Sequence, residues 1–288
     1  MINLSFVRTF VCLADTGGFS AAARTLGLSQ PTVSQHLRKL EDALGAQLVD
    51  RDSSGCTLTA RGRSLLPYAK TLLQSAERFT QAAEMQTLTI GCSGNIAAYF
   101  ISPALKTFMD EVRPALRWTI HTDSNPALVN ALRTGSIDVA AMEWPAEEDG
   151  LQTHAWRQED LVVIAPPGHP LAGKRKIEFG DLVKLDLIGG ESGSGTASAL
   201  RQAFGVKANR LRIVHHLHST EAVKSAVRAG LGCSVVLRRA VADDIAAGRL
   251  VELAIRDTKI TKTFHLSAGR DIPASAPAAR LIGFMKAA

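Results

Sequence analysis

The sequence predicts a mainly α/β chain: a small helical domain with a β wing, a linker helix, and a larger domain of alternating strands and helices. Three observations predict it. Three short amphipathic helices separated by glycines fill the first 45 residues. A heptad-spaced apolar stripe runs from Leu65 to Ala83. From Leu88 onward, short apolar runs alternate with helical segments, the pattern of a parallel sheet covered by helices.

The 288 residues suggest two or three domains, and 46% hydrophobic with 21% charged residues fits a soluble globular protein. No apolar run is long enough to span a membrane. The start MINLSFVRTF lacks the features of a signal peptide, so a cytoplasmic protein is expected. Cys12, Cys56, Cys92 and Cys233 show no metal-ligand or redox-pair spacing and read as reduced thiols. The net charge of +6 favours an anionic partner only weakly, and residues 1–87 hold nine Lys/Arg against seven Asp/Glu. Pattern must therefore carry the functional reading.

Phe6, Phe10, Leu13 and Ala14 form the stripe of a first helix, ended by Gly17-Gly18. Phe19-Ser20 reads as a hydrophobic residue followed by an N-cap, and Ala21–Leu26 as a short helix whose small side chains let another helix cross closely. After Gly27, Ser29 caps a third helix, Pro31 lies in its first turn, and Val33, Leu37, Leu40 and Leu44 share one face until Gly45. The opposite face opens with Gln30, Thr32, Ser34, Gln35 and Arg38. Amides and hydroxyls at the tip of such a helix can reach base edges, and an arginine can hold phosphate or guanine. An ordinary helix with a solvated face has the same periodicity. Gln47–Val49 and Thr57–Thr59 flank a turn at Asp52–Gly55 and suggest a hairpin wing with Arg51 at its edge. Thr59 caps the next helix, whose stripe is Leu65, Ala69, Leu72, Ala76, Phe79 and Ala83. It can pack on its own domain or pair with a second copy. Pro67 lies inside it.

The chain resembles the LysR-type transcriptional regulators. The resemblance rests on Phe19-Ser20-Ala21-Ala22-Ala23 with Leu26, on Ser29–Gln35 with Leu37 and Leu40-Glu41, and on Gly45, Leu48, Arg51 and Leu58-Thr59-Ala60-Arg61-Gly62. It implies a winged helix-turn-helix over 1–58, a dimerisation helix over 59–87, and an effector domain over 88–288 similar to periplasmic binding proteins. That domain would have two lobes, about 88–160 plus 267–288, and 161–266. By position, Gln30, Thr32, Ser34, Gln35, Arg38 and the wing's Arg51 become DNA-contacting residues. The wing departs from the family pattern: Val49 stands where an aromatic is usual, and Asp50 and Asp52 flank Arg51. Fewer cations there imply a shallower salt dependence of binding.

In the larger domain, strands are expected at Leu88–Cys92, Leu116–Ile120, Ile137–Met142, Leu161–Ala165, Leu185–Ile188, Leu211–His215, Cys233–Leu237, Leu250–Leu253 and Thr263–Leu266. Helices are expected at about 96–110, after Ser124-Asn125-Pro126, at 196–204, 221–229 and 276–286. The resemblance implies an effector cleft between the lobes, where helix N-termini favour an anion. Candidate contacts are Ser93, Gly94, Asn95, Ser124, Asn125, Ser192, Gly193, Ser194, Ser219 and Thr220, joined by Glu143 just past a strand end. Ser, Thr and Asn are also what helices ordinarily start with.

His215, His216 and His218 lack partner ligands at a recognisable spacing, so no metal site is expected. No acid–base set or nucleophile frame emerges, so neither catalysis nor a cofactor is expected. The expected partners are promoter DNA, a small anionic effector, further copies of the chain as a homodimer or homotetramer, and RNA polymerase, with no membrane. Two alternatives stay open: an effector-independent repressor, and a solute-binding or enzymatic α/β module with a helical N-terminus.

Overall fold

The computed structural model describes residues 2–52, 55–84, 86–112, 116–174, 176–190 and 195–287; within these, the side chains of residues 51, 52, 55, 78, 81–84 and 86 are not described. The chain divides into two compact units, residues 1–86 with 134–136, and residues 87–133 with 137–288.

The first unit runs α1 (Leu4–Thr16), α2 (Phe19–Leu26), α3 (Gln30–Leu44), β1 (Val49–Asp52), β2 (Gly55–Leu58) and α4 (Ala60–Glu84). Val7, Phe10 and Leu13 of α1, Ala22 and Ala23 of α2, and Val33, Leu37 and Leu40 of α3 close one core with Leu48 and Val49. Leu44, the last residue of α3, lies beyond that core and is exposed. Ser29 caps α3 by accepting the Thr32 N–H at 3.2 Å. The cap expected at Ser20 is not there: α2 begins at Phe19 after Gly18, because the extended backbone ends at that glycine. β1 and β2 pair antiparallel as a wing. Thr59 caps α4 through the Gly62 N–H at 2.9 Å. A Cβ at Gly62 would stand 2.0 Å from the Leu48 carbonyl oxygen, so the approach of α4 to the wing requires glycine. The α4 stripe divides. Leu65 and Ala69 pack on the core, together with Leu66 and Leu73 from outside the stripe, while Leu72 is 42% and Phe79 81% exposed.

The second unit runs β3 (Gln86–Cys92), α5 (Gly94–Tyr99), α6 (Ile101–Val112), β4 (Leu116–Thr122), α7 (Asn125–Arg133), β5 (Val139–Met142), β6 (Leu151–Ala165), α8 (Phe179–Leu182), β7 (Asp186–Gly189) and α9 (Gly195–Phe204). A 3-10 turn at Gly205–Arg210 leads to β8 (Arg212–His216), α10 (Thr220–Arg228), β9 (Ser234–Leu237), α11 (Arg238–Ala246), β10 (Val251–Leu253), β11 (Ile260–Gly269) and α12 (Pro277–Ala287).

The main sheet has the order β10-β6-β11-β5-β3-β4, with β9 also on β6, and β7 pairs with β8 apart from it. It is mixed, not parallel throughout. β3 and β5 are parallel, but β11 is antiparallel to β5 and β6, and β6 is antiparallel to β9 and β10. The reason is the length of β6. Its first part, Leu151–Leu161, pairs with β11 around a bulge, and Leu161–Ala165 pair with β9 and β10. These two long strands tie together one half built on β3, β4 and β5 and another built on β9 and β10. One helix face of each half is sealed by its own cluster, Leu128, Leu132, Ile137 and Met142 in the first, Val162, Val223, Val227 and Val241 in the second. The single helix expected over 96–110 is broken at Phe100, whose ring turns into the core 5.0 Å from Phe264. Among the described residues no helix is long and apolar enough to cross a membrane.

Candidate functional sites

Two surfaces collect the polar residues singled out by sequence. On α3, Gln30, Gln35 and Arg38 are exposed, and Thr32 and Ser34 are half-buried. The Gln30 side chain accepts a long 3.4 Å bond from the Ser20 hydroxyl, and the Thr32 hydroxyl lies 2.7 Å from the capping Ser29 hydroxyl. The opposite face is pinned: Val33, Leu37 and Leu40 are buried, and His36 stacks against Phe6 and bonds Thr9 at 3.0 Å. Burial of one face thus orients the other outward. Arg51 sits on β1, but its side chain lies outside the described residues.

The second surface is a cavity of about 360 Å³ between the two halves of the second unit. The turns after β3 and β5, where parallel neighbours end, and the starts of α7, α9 and α10 converge on it. Ser93, Gly94, Asn95, Ser124, Asn125, Glu143, Ser219 and Thr220 all line it. Ser192, Gly193 and Ser194 lie outside the described residues.

Glu143, which lines the cavity, forms an ion pair of 2.8 Å with Lys262, and the two are 5% and 2% exposed. Glu143 also accepts the Gly195 N–H at 3.2 Å and the Asn95 amide at 3.0 Å, and Lys262 donates to the Thr196 hydroxyl at 3.1 Å. Burial pushes the Glu143 carboxyl up, but the Lys262 ammonium and these bonds outweigh it and hold it below the usual carboxylate range. A Cβ at Gly195 would stand 3.2 Å from Glu143 and Lys262, a tight contact that would press on the pair. Two further bonds cross the cavity, Thr220 hydroxyl to Asn95 at 2.6 Å and Tyr99 hydroxyl to Glu221 at 2.7 Å. Glu221 leads on through Lys224 to the buried Asp244, which also holds Arg228 and Arg249. Burial pushes Asp244 up, yet bonds from Lys224 and Arg249 bring it down to about 2.

Among the described residues, two buried polar atoms in the wall have no partner: Ser93 Oγ and Asn125 Nδ2, on side chains 7% and 3% exposed. A buried donor without an acceptor is costly, and such atoms in a cavity mark where a ligand or water is bonded.

Sequence reasoning missed Lys262, Tyr99 and Glu221. Lys262 carried a usable signal, because it falls in phase with Ile260 and Phe264 on the buried face of a strand. Tyr99 and Glu221 had none, since nothing local pairs residues 122 positions apart.

His215 and His216 stand exposed on β8, and among the described residues no three His, Cys, Asp or Glu side chains gather as metal ligands. Burial pushes the Cys92 thiol up to about 12 and, with Asp186, the Cys233 thiol up to about 11.

Residues 4–63 match the family model described as bacterial regulatory helix-turn-helix protein, lysR family, and residues 81–288 match the LysR substrate binding domain. The chain is 30% identical over 271 residues to the RuBisCO operon transcriptional regulator of Allochromatium vinosum, covering 92% of this chain and 89% of that protein. A Corynebacterium glutamicum OxyR C206 mutant superposes with a TM-score of 0.62 at 29% identity, over 99% of this chain and 91% of that one. Full-length CbnR complexed with its target DNA shares the fold, with a TM-score of 0.76 at 20% identity over 99% of both chains.

Proposed function

Since the chain belongs to the LysR family of transcriptional regulators and carries that family's effector-binding domain, we propose that it reads promoter DNA with the exposed face of α3 and is modulated by a small carboxylate-bearing effector in the cleft of its second unit. The observation that carries the effector half is the pair of unpartnered buried donors, Ser93 Oγ and Asn125 Nδ2. Both seek an acceptor, and the start of α7 adds backbone N–H groups and a favourable dipole at the same wall. On α3, Gln30, Thr32, Ser34, Gln35 and Arg38 are the proposed DNA contacts, with Arg51 in the wing.

The protein acts in the cytoplasm as a homodimer or homotetramer, with RNA polymerase as a further partner. The exposed Leu72 and Phe79 on α4, seven residues apart, support pairing between copies, because they continue the stripe on a face that the domain core leaves uncovered. Effector binding shifts the protein between arrangements only to the extent that it favours one of them, and the bonds across the cleft are the contacts it would trade. A cysteine redox switch draws no support from Cys92 or Cys233, because protonated buried thiols are poor nucleophiles.

The test is a footprint of the full-length protein on its own upstream region, with and without candidate carboxylates, beside a thermal-shift screen. A ligand that binds the native state raises the melting temperature, and it should change the footprint. An unchanged footprint with no thermal shift leaves an effector-independent repressor. Loss of all preference for any duplex over random competitor, with the fold intact, removes the DNA-reading role.

A further inference from the structure

The charge of the effector can be taken further, and this step rests on the cleft being the ligand site. The anion position at the start of α9 is already filled from within: the Glu143 carboxylate holds the Gly195 N–H, the Asn95 amide and the Lys262 ammonium. No lysine or arginine stands among the described residues lining the cavity, whereas Asp123 and Glu221 both face it. Glu221 is answered by Lys224 and Tyr99. Asp123 accepts the Ser124 backbone N–H at 2.7 Å, and no described cation forms an ion pair with it. On the same wall, Ser93 Oγ and Asn125 Nδ2 lack an acceptor among the described residues.

We infer that the effector is a zwitterion of the amino-acid class, its carboxylate on Ser93 and Asn125 and its ammonium toward Asp123. A simple carboxylate would satisfy the two donors but bring a second negative charge beside Asp123 in a partly desolvated cleft. A simple amine would answer Asp123 and leave both donors unpaired. A molecule bearing both groups answers both ends, and a cavity of about 360 Å³ suits one of that size.

The experiment uses the full-length protein and three matched sets: α-amino acids, the 2-hydroxy acids of the same carbon skeletons, and the amines lacking the carboxylate. Thermal shift finds the binders and calorimetry gives Kd. At least one amino acid should bind about tenfold or more tighter than its hydroxy acid and its amine. Asp123→Asn, at an exposed position, should bring the amino acid to hydroxy acid ratio toward one. Ser93→Ala should weaken both compounds together. A hydroxy acid binding as well as its amino acid, or a ratio that Asp123→Asn leaves unaltered, overturns the inference while the cleft remains a carboxylate site. If no compound from any set binds while operator DNA still does, the ligand-binding reading falls with it.

Discussion

The exposed face of α3 and the cleft of the second unit are both polar, but they are made in opposite ways. The α3 face spans Gln30 to Arg38 on one helix, and its side chains meet solvent with few partners. The cleft gathers Ser93, Asn125, Glu143, Thr196, Thr220 and Lys262 from separate elements, and most of these atoms are committed to one another. The contrast teaches where substitutions should register. On α3 they should alter binding and leave stability nearly untouched. In the cleft the same polar character is part of the fold, so removing a partner should unfold before it retunes.

The sharpest way to break this contrast is Lys262→Met. It strands the Glu143 carboxylate in a site that is 5% exposed, and losing one partner of a buried pair costs about 3–5 kcal/mol. Denaturant unfolding of the full chain should show the loss in the second unit. Adding Glu143→Leu should recover most of it, because an apolar pair of similar volume needs no charge compensation. A single-variant loss below about 1 kcal/mol would match a solvated surface pair instead and erase the distinction.

Acid sharpens the same comparison. Asp244 stands at about 2 against an ordinary 3.8, and Glu143 is likewise lowered. A depressed carboxylate stabilises the fold fully above its unfolded value, and that contribution is lost as pH falls through the folded one. The second unit should therefore lose stability progressively from about pH 4 toward about pH 2. Unfolding midpoints measured across that window, with Asp244→Asn as the control, check it. The variant should be less stable at neutral pH and flatter across the window, and an equally steep loss would take Asp244 out of the account.

The same division explains what could be read in the sequence. α3 was legible because its cap at Ser29, its Pro31 and its buried row at Val33, Leu37 and Leu40 are local signals, each readable within one turn. The candidate cleft residues were legible as caps after strands, which says where helices start but not that Asn95 meets Thr220 or that Glu143 meets Lys262. The first ten residues of β6 were missed because Gln152–Asp160 is largely polar, and its strand character comes from pairing with β11 a hundred residues away. The break at Phe100 was missed because a continuous helical periodicity cannot report that one ring must turn toward Phe264. The α11 helix opens Arg238-Arg239 and buries a charged Asp244, so its apolar row is short.

On the α3 side, Gln35→Ala should cost about 1–3 kcal/mol of discrimination between operator and mismatched duplex if Gln35 makes a two-bond base contact. The melting temperature should hold, since surface substitutions of this kind shift stability by about 0.5 kcal/mol or less. Competition binding with a set of single-base operator variants checks it. An unchanged specificity profile would remove Gln35 from the reading face, and a clear loss of stability would show that this face, like the cleft, is structural.

Ser29→Ala probes the boundary between the two kinds of residue and carries the smallest expected effect. Ser29 is exposed, yet its hydroxyl accepts the Thr32 N–H at 3.2 Å and fixes where α3 begins. Replacing such a cap costs about 1 kcal/mol, limited here because water can take over the freed N–H. The loss should appear in the unfolding of the first unit. Its effect on DNA should be a uniform weakening across operator variants, because fraying the first turn loosens Gln30 and Thr32 together without favouring any base. A loss confined to one base position would instead make Ser29 a reader in its own right. The reading face would then begin one residue earlier, and the separation of binding from stability on α3 would fail at its first turn.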